Sequence, residues 1–244
     1  MQGGINMAKP SEDWNVRPHG PITSLGMDLF TVVGELHMPL GESRRRMTIA
    51  RLSDRRLVIY SAIALDDAER SKLESLGTPS YVIVPSAVHR LDVAAWKRRY
   101  PNLVVVAPPG ARDKVAEVVP VDLTAVDFGD PRVVLSVVAG TAEQEFALMV
   151  QTETGKTLVV NDLIFNLPAL KGAGGLMMKL LGFGPGKPHM PKLVMMKLLK
   201  DRPAVRGQLE SWADTAELER VLVSHGGPIE APQATLRQLA QQLT

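Results

Sequence analysis

The chain has 244 residues, of which 45% are apolar, a formal net charge of +2 and no cysteine. This length and apolar content suit one large domain or two small ones with a sizeable core, and the small net charge gives no sign of general nucleic-acid binding. The absence of cysteine excludes disulfides, thiol catalysis and thiolate metal sites, so a metal ion would need His, Asp or Glu ligands. No apolar stretch is long enough for a membrane span or a signal peptide, which predicts a cytoplasmic protein without a transmembrane segment.

The first part of the chain begins with strand signals and changes to α/β units. Residues 1–24 carry glycine, proline and polar residues without periodicity and are predicted to form a flexible N-terminal arm. Three β-rich runs then predict an antiparallel opening sheet, at residues 28–33, 47–52 and 56–61. From residue 66 onwards, helices are predicted at 66–77, 92–100 and 110–118, and strands at 81–84 and 103–106.

The second part repeats this order. Strands are predicted at 133–138, 145–151 and 157–161, and a turn around Thr154-Gly155 joins the last two as a hairpin. A helical, Met-rich insert at about 165–216, a strand at 220–223 and an amphipathic helix at 232–243 complete the chain. Because strands and α/β units occur twice, we expect an α/β (α+β) fold, a four-layer αββα sandwich over residues 25–244, rather than one doubly wound sheet.

Polar residues directly follow two of the predicted strands. Asn161-Asp162 ends the apolar run 157–160, and Ser224-His225-Gly226 ends the apolar run 221–223. Each strand would deliver a potential metal ligand to a sheet edge, although the two are far apart in sequence. Metallohydrolases of the α/β type assemble their sites in this way.

Several local motifs share one order along the chain: 47–60, Val84-Pro85-Ser86-Ala87-Val88-His89, Ala95-Trp96 with Tyr100-Pro101, Ala107-Pro108-Pro109-Gly110, Asn161-Asp162, and Ser224-His225-Gly226-Gly227-Pro228. In this order they resemble the metallo-β-lactamase-like superfamily over roughly residues 25–243. More narrowly, they resemble a bacterial branch of unknown function whose metal-binding motifs are eroded.

The resemblance implies a degraded two-metal site. Asp162 matches the bridging aspartate of the family and His225 its last histidine, whereas Thr141 replaces another histidine ligand. The His-x-His-x-Asp-His motif falls in the loop after Val84, where only His89, in one of two registers, meets a histidine position. His89, Asp162 and His225 could then hold a single divalent ion, with zinc favoured over iron or manganese, or none.

Each of these residues also has a structural interpretation. His225 could hydrogen-bond a loop carbonyl, Asp162 could accept backbone N–H groups, and His89 could flank the helix that follows it. No Gly-x-Ser-x-Gly, Gly-x-Gly-x-x-Gly or Walker motif occurs, so a serine hydrolase or a nucleotide-binding protein has no support. Two hypotheses remain: a mononuclear metal hydrolase acting on an ester-type or amide-type substrate, and a non-catalytic protein that binds a small molecule or a partner.

The insert carries a repeat and a charge bias. Met177-Met178-Lys179-Leu180-Leu181 recurs as Met195-Met196-Lys197-Leu198-Leu199, and residues 163–200 include six lysines and no acidic residue. These segments could be ordinary packed helices, a lid, a homodimer contact or a weak membrane-surface contact. The clusters Arg44-Arg45-Arg46 and Arg55-Arg56 are predicted to be solvated turns that discourage edge pairing, with anion binding as the alternative.

Overall fold

The computed structural model describes residues 9–38, 41–168 and 186–243. Its strands are β1 (Thr23–Gly26), β2 (Leu29–Met38), β3 (Gly41–Arg51), β4 (Arg56–Tyr60), β5 (Thr78–Ile83), β6 (Val104–Val106), β7 (Val133–Val137), β8 (Phe146–Gln151), β9 (Lys156–Val160) and β10 (Leu218–Val223). Its helices are α1 (Asp67–Leu76), α2 (Val93–Arg99), α3 (Arg112–Ala116), α4 (Lys192–Leu198), α5 (Arg202–Ala213) and α6 (Pro232–Gln241), and a 3-10 turn, Pro109–Ala111, precedes α3.

The strands form two mixed sheets. In the first sheet the order is β1-β2-β3-β4-β5-β6, antiparallel up to β4 and parallel from β4 to β6. In the second sheet the order is β10-β9-β8-β7, with β7, β8 and β9 antiparallel and β9 parallel to β10. The parallel pairs β4–β5 and β9–β10 bring the carboxyl ends of their strands to a shared edge of each sheet.

The period-2 alternation of strand side chains divides the core into three layers. In β4, Leu57 and Ile59 pack toward α1, α2 and α3, whereas Val58 and Tyr60 pack toward the second sheet. In β9, Val159 packs toward the first sheet and Leu158 toward α5 and α6. The layers are therefore helices, sheet, sheet and helices, which confirms the predicted αββα sandwich and excludes a single sheet.

Helix α1 begins and ends where its sequence predicts. Asp66 caps it, accepting a hydrogen bond from the backbone N–H of Glu69 at 2.9 Å, and Asp67 adds negative charge at its amino end. Gly77 follows the last turn, and a Cβ there would lie 2.1 Å from the carbonyl oxygen of Arg55. Only glycine fits this close approach between the end of the helix and the β3–β4 turn.

The prediction of a solvated turn at Arg44-Arg45-Arg46 is wrong. The cluster lies inside β3, where it pairs with residues 33–35 of β2. Arg45 and Arg46 are each only 6% exposed. Arg45 is buried because it pairs with Asp92, which also accepts a hydrogen bond from Arg17 at 3.1 Å. In the other cluster, Arg55 is exposed in the turn between β3 and β4, as expected, whereas Arg56 is the first residue of β4 and is partly buried.

Two of the predicted segments are described in part. Within the predicted insert at 165–216, α4 and α5 are helical and 165–168 are not, while Met177–Leu181 lies outside the described residues. In the predicted N-terminal arm, the indole of Trp14 lies 5.4 Å from that of Trp96 and donates a hydrogen bond to the carbonyl oxygen of Leu65 at 2.7 Å. The domain boundaries themselves stay predictions.

Across residues 9–38, 41–168 and 186–243, every helix is too short or too polar to span a bilayer.

Candidate metal centre

The candidate site lies where the carboxyl ends of the parallel strands of both sheets meet. Asp162 follows β9 and His225 follows β10, and these two strands pair in parallel through residues 157–160 and 220–223. His89 lies in the loop after β5, and Ser61 directly follows β4 in the same sheet. Each sheet therefore contributes to one cluster.

The three side chains predicted as ligands converge. The Nε2 atom of His89 lies 3.1 Å from Oδ1 of Asp162 and 3.3 Å from Nε2 of His225, and the third side of the triangle, His225 Nε2 to Asp162 Oδ1, is 3.4 Å. Their side chains are 9%, 15% and 14% exposed, in the order His89, Asp162, His225. Within the described part of the chain, this is the one group of three His, Asp or Glu residues with such spacing.

The triangle has the dimensions of a metal-binding face. A tetrahedral ion with bonds of about 2.0–2.1 Å keeps its ligand atoms about 3.3–3.4 Å apart, and an octahedral ion with similar bonds keeps adjacent ligands about 3.0 Å apart. The observed edges of 3.1 to 3.4 Å fall in this range. Two imidazoles and one carboxylate could hold a metal ion here and leave coordination positions open.

The outer nitrogens of both imidazoles have partners. Nδ1 of His225 lies 3.0 Å from the carbonyl oxygen of Arg44, and because a carbonyl only accepts, Nδ1 carries a proton and Nε2 faces the centre. Nδ1 of His89 lies 2.9 Å from the hydroxyl oxygen of Ser61, which can accept a hydrogen bond from Nδ1–H. Ser61 has a backbone φ of 58°, a conformation uncommon outside glycine.

Asp162 is held in its ionised form. Burial alone would raise the pKa of Asp162, but the imidazoles of His89 and His225 outweigh burial and hold that pKa well below its usual range. The hydroxyl of Ser86 donates a further hydrogen bond to Oδ2 of Asp162 at 3.3 Å. The carboxylate is therefore available as an anionic ligand at neutral pH.

A buried polar network joins the loops that carry the three residues. The amide of Asn161 donates to the hydroxyl oxygen of Ser86 at 3.1 Å, and the hydroxyl of Ser224 donates to the amide oxygen of Asn161 at 2.7 Å. Asn161 and Ser224 each precede a candidate ligand in sequence, so the network fixes the backbone next to both. A partial signal for this network is present in the sequence, since Asn161 and Ser224 directly follow strands and Ser86 belongs to one of the quoted motifs.

Glu145 is a buried carboxyl group that the sequence analysis missed. It is 0% exposed, and its Oε1 atom accepts a hydrogen bond from the backbone N–H of Leu163 at 3.0 Å. Burial, followed by the charge of Asp162, raises the pKa of Glu145 well above its usual range. Thr141, which the sequence resemblance aligns with a histidine ligand, is also buried, and its hydroxyl donates to the carbonyl oxygen of Val138 at 2.7 Å instead of joining the cluster.

One face of His225 is covered by an aromatic ring. The ring centroids of Phe165 and His225 are 4.8 Å apart with an interplanar angle of 30°, and Phe165 is 8% exposed. Phe165 in turn pairs through its backbone with His189, in both directions, at 2.9 and 3.0 Å. His189 belongs to no motif in the sequence, but it contacts Phe165, which itself packs against His225.

Comparison with known structures identifies the fold. The metallo-β-lactamase FIM-1 from Pseudomonas aeruginosa, in its mono-zinc form, is 16% identical and covers 95% of this chain and 98% of its own, with a TM-score of 0.61. A metallo-β-lactamase from Hirschia baltica is 14% identical over 92% of this chain and 98% of its own, with a TM-score of 0.59. One from Erythrobacter litoralis is 13% identical over 91% of this chain and 96% of its own, with a TM-score of 0.62.

The chain therefore has the metallo-β-lactamase fold, and the resemblance predicted from its sequence is confirmed at the level of the fold. No family model matches the chain, and no curated protein has a significantly similar sequence. Identities this low show the fold alone, so the ligand roles of His89, Asp162 and His225 stay predictions.

Proposed function

We propose that the chain binds a single divalent metal ion, zinc in the first instance, through His89, Asp162 and His225, and that it acts as a metal-dependent hydrolase. The observation that carries this proposal is the triangle of ligand atoms, with edges of 3.1 to 3.4 Å. Two neutral imidazoles and one carboxylate are a donor set that zinc and ferrous iron both accept.

A single ion suits the chain better than two. A two-metal site needs more ligands, because its ions lie about 3.5–4 Å apart and each requires its own donors. The family ligand position at Thr141 carries a hydroxyl that is engaged with Val138. The mono-zinc form of FIM-1 is a precedent for one ion in this fold.

The residues of this chain would prepare the site for hydrolysis of an ester-type or amide-type bond. When bound, a divalent ion polarises a substrate carbonyl and activates water. Arg44 and Ser61 orient the imidazoles, Ser86 orients the carboxylate of Asp162, and Phe165 excludes water from one face of His225. Fixed ligands of this kind reduce the reorganisation required in the reaction.

The first test is elemental analysis of protein purified without added metal or chelator. We expect near-stoichiometric zinc, iron or manganese in the unaltered protein and none in an Asp162→Ala, His225→Ala double variant. A matched control is the His19→Ala, Asp66→Ala variant, since this His–Asp pair, 3.7 Å apart, lies outside the cluster. Absence of metal from the unaltered protein, with no thermal stabilisation by added zinc, would contradict the proposal.

A non-catalytic binding protein is the second candidate, and the eroded ligand position at Thr141 favours it. Such a protein would retain a ligand pocket without hydrolysis. Metal-loaded protein that is inactive against a panel of ester and amide substrates, but is stabilised by one of them, would support this candidate over the hydrolase.

The homodimer contact predicted for the Met-rich segment stays a proposal. On α4, Leu198 is 9% exposed and packs against the second sheet, whereas Leu193 and Met196 are 46% and 78% exposed. One face of this helix is packed as in an ordinary helix, and the other is open to a partner. Sedimentation of the unaltered protein and of a Met196→Glu variant would test the contact.

A further inference from the structure

Arg46 is a buried cation that contacts the turn carrying His225. Its guanidinium donates from Nε to the carbonyl oxygen of Val223 at 3.2 Å and from Nη2 to that of Gly226 at 3.0 Å. Its Nη1 donates to the hydroxyl oxygen of Thr31 at 3.0 Å. The backbone N–H of Arg46 also donates to the carbonyl oxygen of Ser224 at 2.9 Å.

The partners of this guanidinium are unusual for a buried charge. All three acceptors are neutral oxygens and none belongs to a carboxylate. Burying a charge is costly unless its hydrogen bonds are satisfied, and a well-packed apolar side chain often replaces a buried ion pair without loss of stability. Stability alone therefore gives little reason for arginine at this position.

The geometry supplies another reason. Val223 and Gly226 bracket Ser224-His225, so the two arms of one planar guanidinium hold both ends of the turn that presents the imidazole. From the same strand, the carbonyl oxygen of Arg44 accepts the hydrogen bond from Nδ1 of His225. Strand β3 thus fixes the backbone of the turn and the orientation of the ring together.

The turn has little freedom on its other side. Gly226 has a φ of 119°, and a Cβ there would lie 2.0 Å from the carbonyl oxygen of Asn166. The backbone N–H of Asn166 donates to the carbonyl oxygen of His225 at 3.0 Å. The turn is therefore held between Asn166 on one side and Arg46 on the other.

We propose that Arg46 is a positioning residue for the metal centre: by holding Val223 and Gly226 it keeps Nε2 of His225 facing His89 and Asp162. This inference rests on the proposed metal site. Lysine cannot take the same role, because one ammonium group lacks the rigid fork that spans two carbonyl oxygens.

The test compares Arg46→Lys with Arg51→Lys. Arg51 lies on the same strand and is partly buried, but it pairs with Asp28 at 2.6 Å and is far along β3 from the His225 turn. Zinc affinity is measured by competition with a chromophoric chelator. We expect Arg46→Lys to weaken zinc binding about 10–100-fold, as loss of an outer partner of a metal ligand does, and Arg51→Lys to change it by less than about twofold.

A second readout does not involve metal. Imidazole ¹⁵N NMR of the metal-free protein, assigned with a His225→Gln variant, reports which nitrogen of His225 carries the proton. We expect a fixed Nδ1–H form in the unaltered protein and in Arg51→Lys, and a mixture of tautomers in Arg46→Lys. If Arg46→Lys only lowered the stability of the fold and did not move His225, the ¹⁵N signals of the His225 imidazole would stay unchanged.

The outcomes separate the two proposals. Zinc affinity and a His225 tautomer that are both unchanged in Arg46→Lys would overturn the positioning role while leaving the metal site in place. No zinc binding by the unaltered protein would overturn the metal site, and this inference with it. If Arg46→Lys does not fold, Thr31→Val removes one of the three acceptors, and we then expect zinc affinity to fall about threefold; an unchanged affinity would overturn the inference.

Discussion

The charged groups at the two ends of the sandwich have different partners. At the end where β4 begins, Arg132 donates to carboxylate oxygens of Asp28 and Asp130, both at 2.8 Å, and Arg51 donates to Asp28 at 2.6 Å. At the other end, Asp162 faces two imidazoles and the guanidinium of Arg46 meets neutral oxygens. The first, structural end is closed by arginine–aspartate ion pairs, and the second, candidate-site end carries the three proposed metal ligands.

The pKa values of Asp28, Asp130 and Glu145 depend on whether a cation lies beside each carboxyl group. The hydrogen bond from Arg132 holds the pKa of Asp130 well below its usual range. Burial raises the pKa of Asp28, but its bonds to Arg132 and Arg51 outweigh burial. Glu145, beside the candidate metal site, has no such cation, so burial raises its pKa instead. At the structural end both carboxylates pair with arginine, whereas at the candidate-site end Asp162 faces two imidazoles and Glu145 accepts a hydrogen bond from a backbone N–H.

Removing Arg132 would break the structural end and has the largest expected effect. In Arg132→Met, Asp28 and Asp130 each lose a charged donor, and we expect the free energy of unfolding to fall by about 1–3 kcal/mol; the loss is smaller than for a fully buried pair because Arg132 is partly exposed and screened. Urea unfolding measures the change. Metal content should equal that of the unaltered protein, and a parallel loss of metal would contradict the separation of the two ends.

Removing the hydroxyl of Ser61 would weaken the candidate-site end without affecting the structural end. Ser61→Ala deletes the hydrogen-bond partner of Nδ1 of His89, and we expect zinc affinity to fall about tenfold, because such outer partners fix the ring and its tautomer. Chelator competition measures this affinity. The midpoint of urea unfolding of the metal-free protein should change little, and Ser86→Ala, which loosens Asp162 instead, provides a matched variant.

The sequence predicted most of the fold because its signals are local. The alternation in β4 and β9, the cap at Asp66 and the stop at Gly77 each depend on residues within one or two turns of chain. The short strand β1 was missed, since its four residues include a glycine and carry little periodicity. The buried arginines of β3 were also missed, because the acceptors of Arg46 lie 177 and 180 residues further along the chain.

The candidate site was predictable to the same extent. Asp162 and His225 are each the second residue after an apolar strand, so their positions at one sheet edge could be predicted from the sequence. His89 depended on the register of a loop, and a pattern of residue types does not fix that register. Ser61 and the carbonyl oxygen of Arg44 had no signal, because a hydroxyl after a strand and a backbone oxygen look alike throughout an α/β sequence.

The smallest expected effect is the pH dependence of the stability that Asp28 and Asp130 provide at the structural end. Asp28 and Asp130 bind fewer protons in the folded state than in the unfolded state because their pKa values are lowered from 3.8. Their stabilisation is therefore fully present above about pH 4 and is lost as the pH falls through the lowered values.

The difference in unfolding free energy between the unaltered protein and Arg132→Met should then be constant between about pH 5 and 7 and shrink below about pH 4. Chemical unfolding of both proteins at each pH measures it. Comparing the two proteins cancels the titration of Asp162, which both contain. A difference that persists unchanged to pH 3 would show that Arg132 stabilises the fold through its packing rather than through its carboxylate partners.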